Sequence, residues 1–169
     1  DYVDDMFHGI GKYTFADGTI DHDGEWRNNE PYIEVKYIGD RNEAGLKHGN
    51  GEYHDEEGSV YIGEFVLDKK EGQGKITYTD GLVYEGAFAN DVIEGYGVFE
   101  WSDGSKYEGD FVDGNQTGHG IYKYASGGVY EGDFVDGNQT GHGIYKYASG
   151  DVYEGDYVDD KKTGHGIFK

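Results

Sequence analysis

One stretch of this sequence is written twice. Residues 107–129 read YEGDFVDGNQTGHGIYKYASGGV, and residues 130–152 repeat them with Asp151 in place of Gly128 as the single change. Looser copies flank the pair, and from Tyr61 to Tyr153 the spacing stays at 23 residues. A period of that size is the signature of a solenoid or array, in which each unit buries its apolar face only against its neighbours. One elongated array is therefore expected, without a globular active-site fold.

The register follows from a Gly-x-Gly pair in each unit: Gly9/Gly11, Gly49/Gly51, Gly72/Gly74, Gly95/Gly97, Gly118/Gly120, Gly141/Gly143 and Gly164/Gly166. That makes about seven units, complete or partial. Each full unit opens on Tyr-x-Gly-x-aromatic, with Tyr61/Phe65, Tyr84/Phe88, Tyr107/Phe111, Tyr130/Phe134 and Tyr153/Tyr157 as the aromatic pairs. Upstream the pattern loosens. Tyr37 stands 24 residues before Tyr61, Arg41 replaces the aromatic, and Arg27–Lys36, with the chain's one proline at Pro31, lacks a glycine pair. That stretch reads either as a degenerate unit or as one missing about eight residues. The expected organisation is a single array over 1–169, irregular and partial over 1–36, regular over 37–169, and opening and closing inside a repeat.

Within a unit the local chemistry is that of a β-hairpin. Tyr130, Gly132 and Phe134 alternate with Glu131, Asp133 and Val135, which places the two sets on opposite faces of a strand. Asp136-Gly-Asn-Gln-Thr140 carries turn residues, and Gly141–Tyr147 reads as the returning strand. Thirty-one glycines and three leucines argue against helix. The expected fold is all-β, an elongated single-layer twisted antiparallel sheet of stacked hairpins. Glycine weakens a strand, so its regular placement needs a reason: between aromatics on one face it leaves room for rings or for a close backbone. With 17 tyrosines and 8 phenylalanines, a column of packed rings is the expected core. Two strands per unit at about 4.8 Å each imply a rod roughly 65–70 Å long.

The 14 basic and 35 acidic side chains sum to −21. Nucleic-acid backbones and anionic membranes, which need clustered Lys and Arg, are disfavoured as partners, and basic or neutral proteins are favoured. Zero cysteines leave neither a disulfide framework nor a thiolate metal site and suit a reducing, cytoplasmic compartment. No apolar run is long enough to span a bilayer, and Asp1-Tyr-Val-Asp-Asp5 does not read as a signal peptide. Asn115-Gln-Thr117 and Asn138-Gln-Thr140 fit the glycosylation pattern but are read as repeat-turn residues.

Units of the form Tyr-Glu-Gly-x-Phe-x-x-Gly, then Gly-His-Gly-x-Tyr-x-Tyr, then a glycine turn, resemble MORN repeats (membrane occupation and recognition nexus). The resemblance covers nearly the whole chain except Arg27–Lys36. It implies the same single-layer hairpin sheet and an architecture rather than one function. Related arrays serve as cytoskeletal scaffolds, junctional membrane proteins, and accessory segments of phosphoinositide kinases and SET-type lysine methyltransferases. The stretch Tyr37-Ile-Gly-Asp-Arg41-Asn-Glu43-Ala-Gly45-Leu-Lys-His48-Gly49-Asn-Gly51 is more discriminating, because it resembles the opening repeat of radial-spoke-head members of that family. The resemblance thus implies a structural component of the motile-cilium axoneme, with radial spoke head subunits as partners.

Catalytic, cofactor and metal sites are not expected. His119, His142 and His165 recur about 10 Å apart, too far to share an ion bound at about 2.0–2.1 Å. The recurring pairs Glu131/Asp133 read as a solvated acidic face that resists edge-to-edge aggregation. Lys69-Lys70 and Lys161-Lys162, the basic pairs, sit among acids and make a weak lipid site at best. The residues expected to build the structural and interaction surface are the ten aromatics paired above, with Gly118, Gly120, Gly141 and Gly143. Open strands at Asp1–Val3 and Gly164–Lys169 would favour self-association or pairing with another chain.

Overall fold

The computed structural model describes the backbone of residues 2–3, 6–7, 9–14, 20–27 and 30–31, and both backbone and side chains of residues 36–169. Asp1 of the expected open edge, and residues 28–29 and 32–35 of the irregular stretch, lie outside the described residues. All regular structure among them is β. Strands β1 (Tyr2–Val3) and β2 (Met6–Phe7) form one pair. Strands β3 (Gly9–Thr14), β4 (Ile20–Arg27) and β5 (Glu30–Pro31) form a three-stranded sheet.

The regular units make one antiparallel sheet of 12 strands whose spatial order is the chain order. It runs through β6 (Lys36–Arg41), β7 (Lys47–His54), β8 (Val60–Val66), β9 (Lys69–Thr77), β10 (Val83–Ala89) and β11 (Val92–Glu100). It continues through β12 (Lys106–Val112), β13 (Asn115–Lys123), β14 (Val129–Val135), β15 (Asn138–Lys146), β16 (Val152–Val158) and β17 (Lys161–Phe168). Consecutive strands pair because each connection is too short to skip a neighbour.

The hairpin turns are tighter than the sequence suggests. Asp136 and Gly137 alone form the turn between β14 and β15, with φ of 49° and 83°. Two positive-φ residues match the right-handed twist of the flanking strands. Asn138, Gln139 and Thr140 therefore belong to β15, and Asn115 likewise opens β13, so neither asparagine is a turn residue. The same two-residue geometry recurs at Leu67–Asp68, Asn90–Asp91, Asp113–Gly114 and Asp159–Asp160.

Each turn also stitches its unit to the one before. Asp160 N donates to Gln139 O at 3.1 Å, and Asp160 Oδ1 accepts from Gln139 N at 2.8 Å. Asp68 and Asp91 make the same two bonds to Lys47 and Lys70. Gly114 and Gly137 keep only the backbone half, to Ile93 O and Gln116 O, since glycine has no acceptor to add.

In the 12-stranded sheet the two strands of each unit are out of step around the first glycine of the Gly-x-Gly pair. Between β14 and β15 the register steps from Gly132↔Gly143 to Asp133↔Thr140, which leaves Gly141 and His142 unopposed by β14. Gly141 sits at φ 62°, a left-handed conformation that glycine adopts without a Cβ penalty.

Candidate functional site

Two faces of the sheet need separate accounts. On one, the tyrosine that opens each unit lies flat along its own strand. Tyr107 covers the facing pair Gly109 and Gly120, where an added Cβ would come within 2.4 Å and 2.5 Å of the ring or its hydroxyl. The Tyr107 hydroxyl donates toward the carbonyls of Asp110 and Thr117, both at 3.2 Å. Tyr130 repeats the arrangement over Gly132 and Gly143, bonding Asp133 O and Thr140 O. Tyr37, Tyr61 and Tyr84 donate to Asp40 O, Glu64 O and Ala87 O in the same way.

The second aromatic of each unit wedges between two tyrosines. Phe111 meets Tyr107 of its own strand and Tyr84 of the preceding unit, each with ring centroids 5.2 Å apart and planes at 86°. Phe134 meets Tyr130 and Tyr107, Phe88 meets Tyr84 and Tyr61, and Phe65 meets Tyr61 and Tyr37. Tyr157 closes the series on Tyr130 and Tyr153. The result is one unbroken edge-to-face zigzag. Each such contact contributes roughly 0.5–1.5 kcal/mol beyond area burial, so the spine adds to the strand pairing and turn bonds that join adjacent units.

Burial pushes the Tyr84, Tyr107 and Tyr130 phenols up to about 12 and raises those of Tyr61 and Tyr157 as well. The Tyr157 hydroxyl is buried without a hydrogen-bond partner. At the other end of the spine Arg41 stands where a phenylalanine would, with its guanidinium 4.8 Å from the centroid of Tyr37. A cation over a ring substitutes for the missing aromatic edge. A second row of half-buried rings accompanies the spine, running Phe99, Trp101, Tyr122, Tyr124, Tyr145 and Tyr147, with neighbouring centroids 4.5–5.6 Å apart.

The opposite face is open to solvent, exposed at Ile38, Ile62 and Ile167 and half-buried at Val98, Ile121 and Ile144, and its order appears only across strands. Register places Ile38, Glu52, Ile62, Lys75, Glu85 and Val98 side by side from β6 to β11. The row continues as Glu108, Ile121, Glu131, Ile144, Glu154 and Ile167 from β12 to β17. Beside it runs a row of acids, Asp110, Asp133 and Asp156, facing Tyr96, His119 and His142. The face is therefore an aliphatic ladder with carboxylates between the rungs.

A family model described as MORN repeat matches residues 1–20, 22–31, 43–60, 61–83, 84–106, 107–129, 130–152 and 153–169. This chain belongs to the MORN repeat family. No curated protein matches it. Among solved structures it is similar to the SAS-4 (dCPAP) TCP domain of Drosophila melanogaster in complex with a proline-rich motif of Ana2 (dSTIL). That similarity has a TM-score of 0.30 and 12% identity over 72% of this chain and 77% of that one. The TCP10 domain of Danio rerio CPAP, in complex with a STIL peptide, is similar at a TM-score of 0.20 and 15% identity over 64% and 68%. Scores this low bear on neither ligand nor function.

The MORN units place the residues singled out from sequence as follows. Tyr61, Phe65, Tyr84, Phe88, Tyr107, Phe111, Tyr130, Phe134 and Tyr157 are all buried in the spine, and Tyr153 is half-buried at its end. Gly120 and Gly143 lie under tyrosine rings, whereas Gly118 and Gly141 are bulge residues. His142 stands on the other face between Glu154 and Asp156, at 3.7 Å and 3.6 Å. Among the described residues no group of three or more His, Asp or Glu is placed to hold a metal ion. MORN repeats are in general a non-catalytic module, and the exposed aliphatic ladder was missed from sequence because its members are neighbours only once register is known.

Proposed function

We propose that this chain is a non-enzymatic scaffold of the radial spoke head, cytoplasmic and assembled into the axoneme of a motile cilium with other spoke-head proteins. The observation that carries the scaffold reading is the single 12-stranded sheet, one face sealed by the spine and the other left open to solvent as an aliphatic ladder flanked by acids from β12 onward. Such a surface offers many weak contacts to protein partners.

The radial-spoke assignment is supported by the run Arg41–Gly45, which resembles the opening repeat of radial spoke head protein 1. This run builds a defined loop. Asn42 Oδ1 accepts from Ala44 N at 3.0 Å and Leu46 N at 3.1 Å, while Arg41 Nη1 donates to Gly45 O at 2.7 Å. Among the described side chains it closes the spine with a cation over Tyr37 and a hydrogen-bonded loop. The test is fractionation of ciliated cells expressing the tagged chain. It should remain with demembranated axonemes and leave them with the spoke heads at high salt, which screens exposed charge pairs. Recovery in the detergent-soluble fraction would sink the assignment.

A further inference from the structure

An array of equivalent units offers a partner several equivalent registers, so binding in one place requires a place unlike the rest. That place is the exposed face of β8–β11. Where β10, β12, β14 and β16 carry Glu85, Glu108, Glu131 and Glu154, β8 carries Ile62, as β6 carries Ile38. Where three later strands carry Asp110, Asp133 and Asp156, β10 carries Ala87, and where His119, His142 and His165 stand, β11 carries Tyr96. Within four adjacent strands Glu has given way to Ile, Asp to Ala and His to Tyr, while Lys75 stands where β11, β13, β15 and β17 carry an aliphatic residue and pairs with Glu85 at 3.5 Å.

The same strands form a trough. A concavity of about 380 Å³ has Tyr96, Val98 and Val83 on its walls and the bare backbone of Gly86 and Gly97 in its floor. A second, of about 270 Å³, adjoins it at Lys75 and Glu85 and reaches Ile62. Ile62 is 55% exposed and Tyr96 57%. The Tyr96 hydroxyl donates to Glu108 Oε1 at 2.8 Å, which holds the ring over the first of the acidic strands.

Resting on the scaffold reading above, we propose that this trough anchors a basic amphipathic helix from a partner protein. Its apolar residues seat on Ile62, Tyr96 and Val98. Its Lys and Arg side chains then run over Glu108, Asp110, Glu131, Asp133, Glu154 and Asp156. Charge selects the occupant, because the chain carries −21 and the surface beyond β11 alternates aliphatic rungs with these acids. Lys106, Lys123 and Lys146 lie in a separate row on the far side of the ladder, and of these Lys106 borders the trough itself, beside Glu100.

Periodicity selects the helix. Like positions recur every second strand, about 9.6 Å, and a helix re-presents one face every seven residues, about 10.5 Å. The mismatch of about 1 Å per unit is absorbed over three units by long basic side chains. An extended chain repeats its face every ~6.8 Å and falls out of step at once.

The test uses a fluorescent synthetic peptide of roughly three heptads, with leucine at the inward positions of the first and lysine at those of the other two. Binding is read by anisotropy and peptide helicity by circular dichroism. The variant Ile62→Glu, Ala87→Asp, Tyr96→His installs residues that other units already carry, so the sheet should keep its melting behaviour. Affinity should fall at least tenfold, and a peptide with glutamate for lysine should not bind. Absent binding, binding without helix, or a variant within twofold of the parent would overturn the proposal. Axonemal retention with failed peptide binding leaves the scaffold reading standing, whereas peptide binding with a soluble chain removes only the radial-spoke assignment.

Discussion

Gly120→Ala is the sharpest probe of the spine. The new Cβ would lie 2.5 Å from Tyr107 Cε2 and 2.6 Å from its hydroxyl oxygen, well inside the optimal contact of roughly 3.5–4.0 Å. Tyr107 has nowhere to retreat, being 0% exposed, held by two carbonyls and wedged between Phe111 and Phe134. Overpacking costs roughly 1–3 kcal/mol, and expelling the ring would approach the roughly 3–5 kcal/mol of a lost core aromatic. The expected cost is about 2–4 kcal/mol. Gly118→Ala meets only Asp110 Oδ2, at 3.7 Å, but holds φ at 61°, so it should cost about 1–2 kcal/mol through backbone strain alone. Urea denaturation of a double-mutant cycle separates the two causes. With Tyr107→Ala already in place, Gly120→Ala should cost less than about 0.5 kcal/mol, whereas Gly118→Ala should cost what it did before. An equal cost for Gly120→Ala with and without the ring would refute the account of the glycine pair.

Tyr157→Phe removes a buried hydroxyl that lacks a partner and restores the residue type found at Phe65, Phe88, Phe111 and Phe134. Stability should rise by about 1 kcal/mol, and a lower urea midpoint would contradict that reading. Gly137→Asp should supply the missing carboxylate stitch to Gln116 N, in an open site whose φ of 83° is close to the 72° already held by Asp68 and Asp91. The expected gain is about 0.5–1 kcal/mol, read as a higher melting temperature, and no gain would mean the stitch is worth nothing. The buried phenols set an alkaline limit. Burial raises Tyr84, Tyr107 and Tyr130 to about 12, against about 10 in the unfolded chain. The unfolded state therefore loses its protons first, so stability is intact below the unfolded value and falls as pH climbs toward 12. Tyrosinate absorbance should rise in two stages, the later one coinciding with loss of the β-sheet signal; a single early stage would show the spine to be open to water.

The 23-residue period, the strand alternation and the face that holds the rings were legible in the sequence because each is a local pattern repeated several times. Tyr130, Gly132 and Phe134 could point only one way. Two features were not legible. Asn138-Gln139-Thr140 has the composition of a turn, yet positive φ at Asp136 and Gly137 completes the reversal in two residues and releases them to the strand. The two glycines of each pair look alike in the chain but answer to different constraints. Gly141 serves a backbone angle, and Gly143 serves a ring that arrives from Tyr130 on the neighbouring strand.

The twin units show why one repeat cannot be read in isolation. Gln116 and Gln139 stand at the same position of copies that differ at one residue, yet only Gln139 is buried. Its side-chain amide donates to the Tyr124 hydroxyl at 2.5 Å, and its backbone N–H donates to Asp160. One unit earlier, Trp101 stands in place of Tyr124 and has no hydroxyl to accept, and Gly137 stands in place of Asp160 and has no carboxylate. The environment of a position is set by the residues that the adjacent units bring against it. Chemistry in such an array is therefore to be sought where neighbouring units depart from the shared pattern, and on the open face of β8–β11 those departures include Ile62, Lys75, Ala87 and Tyr96.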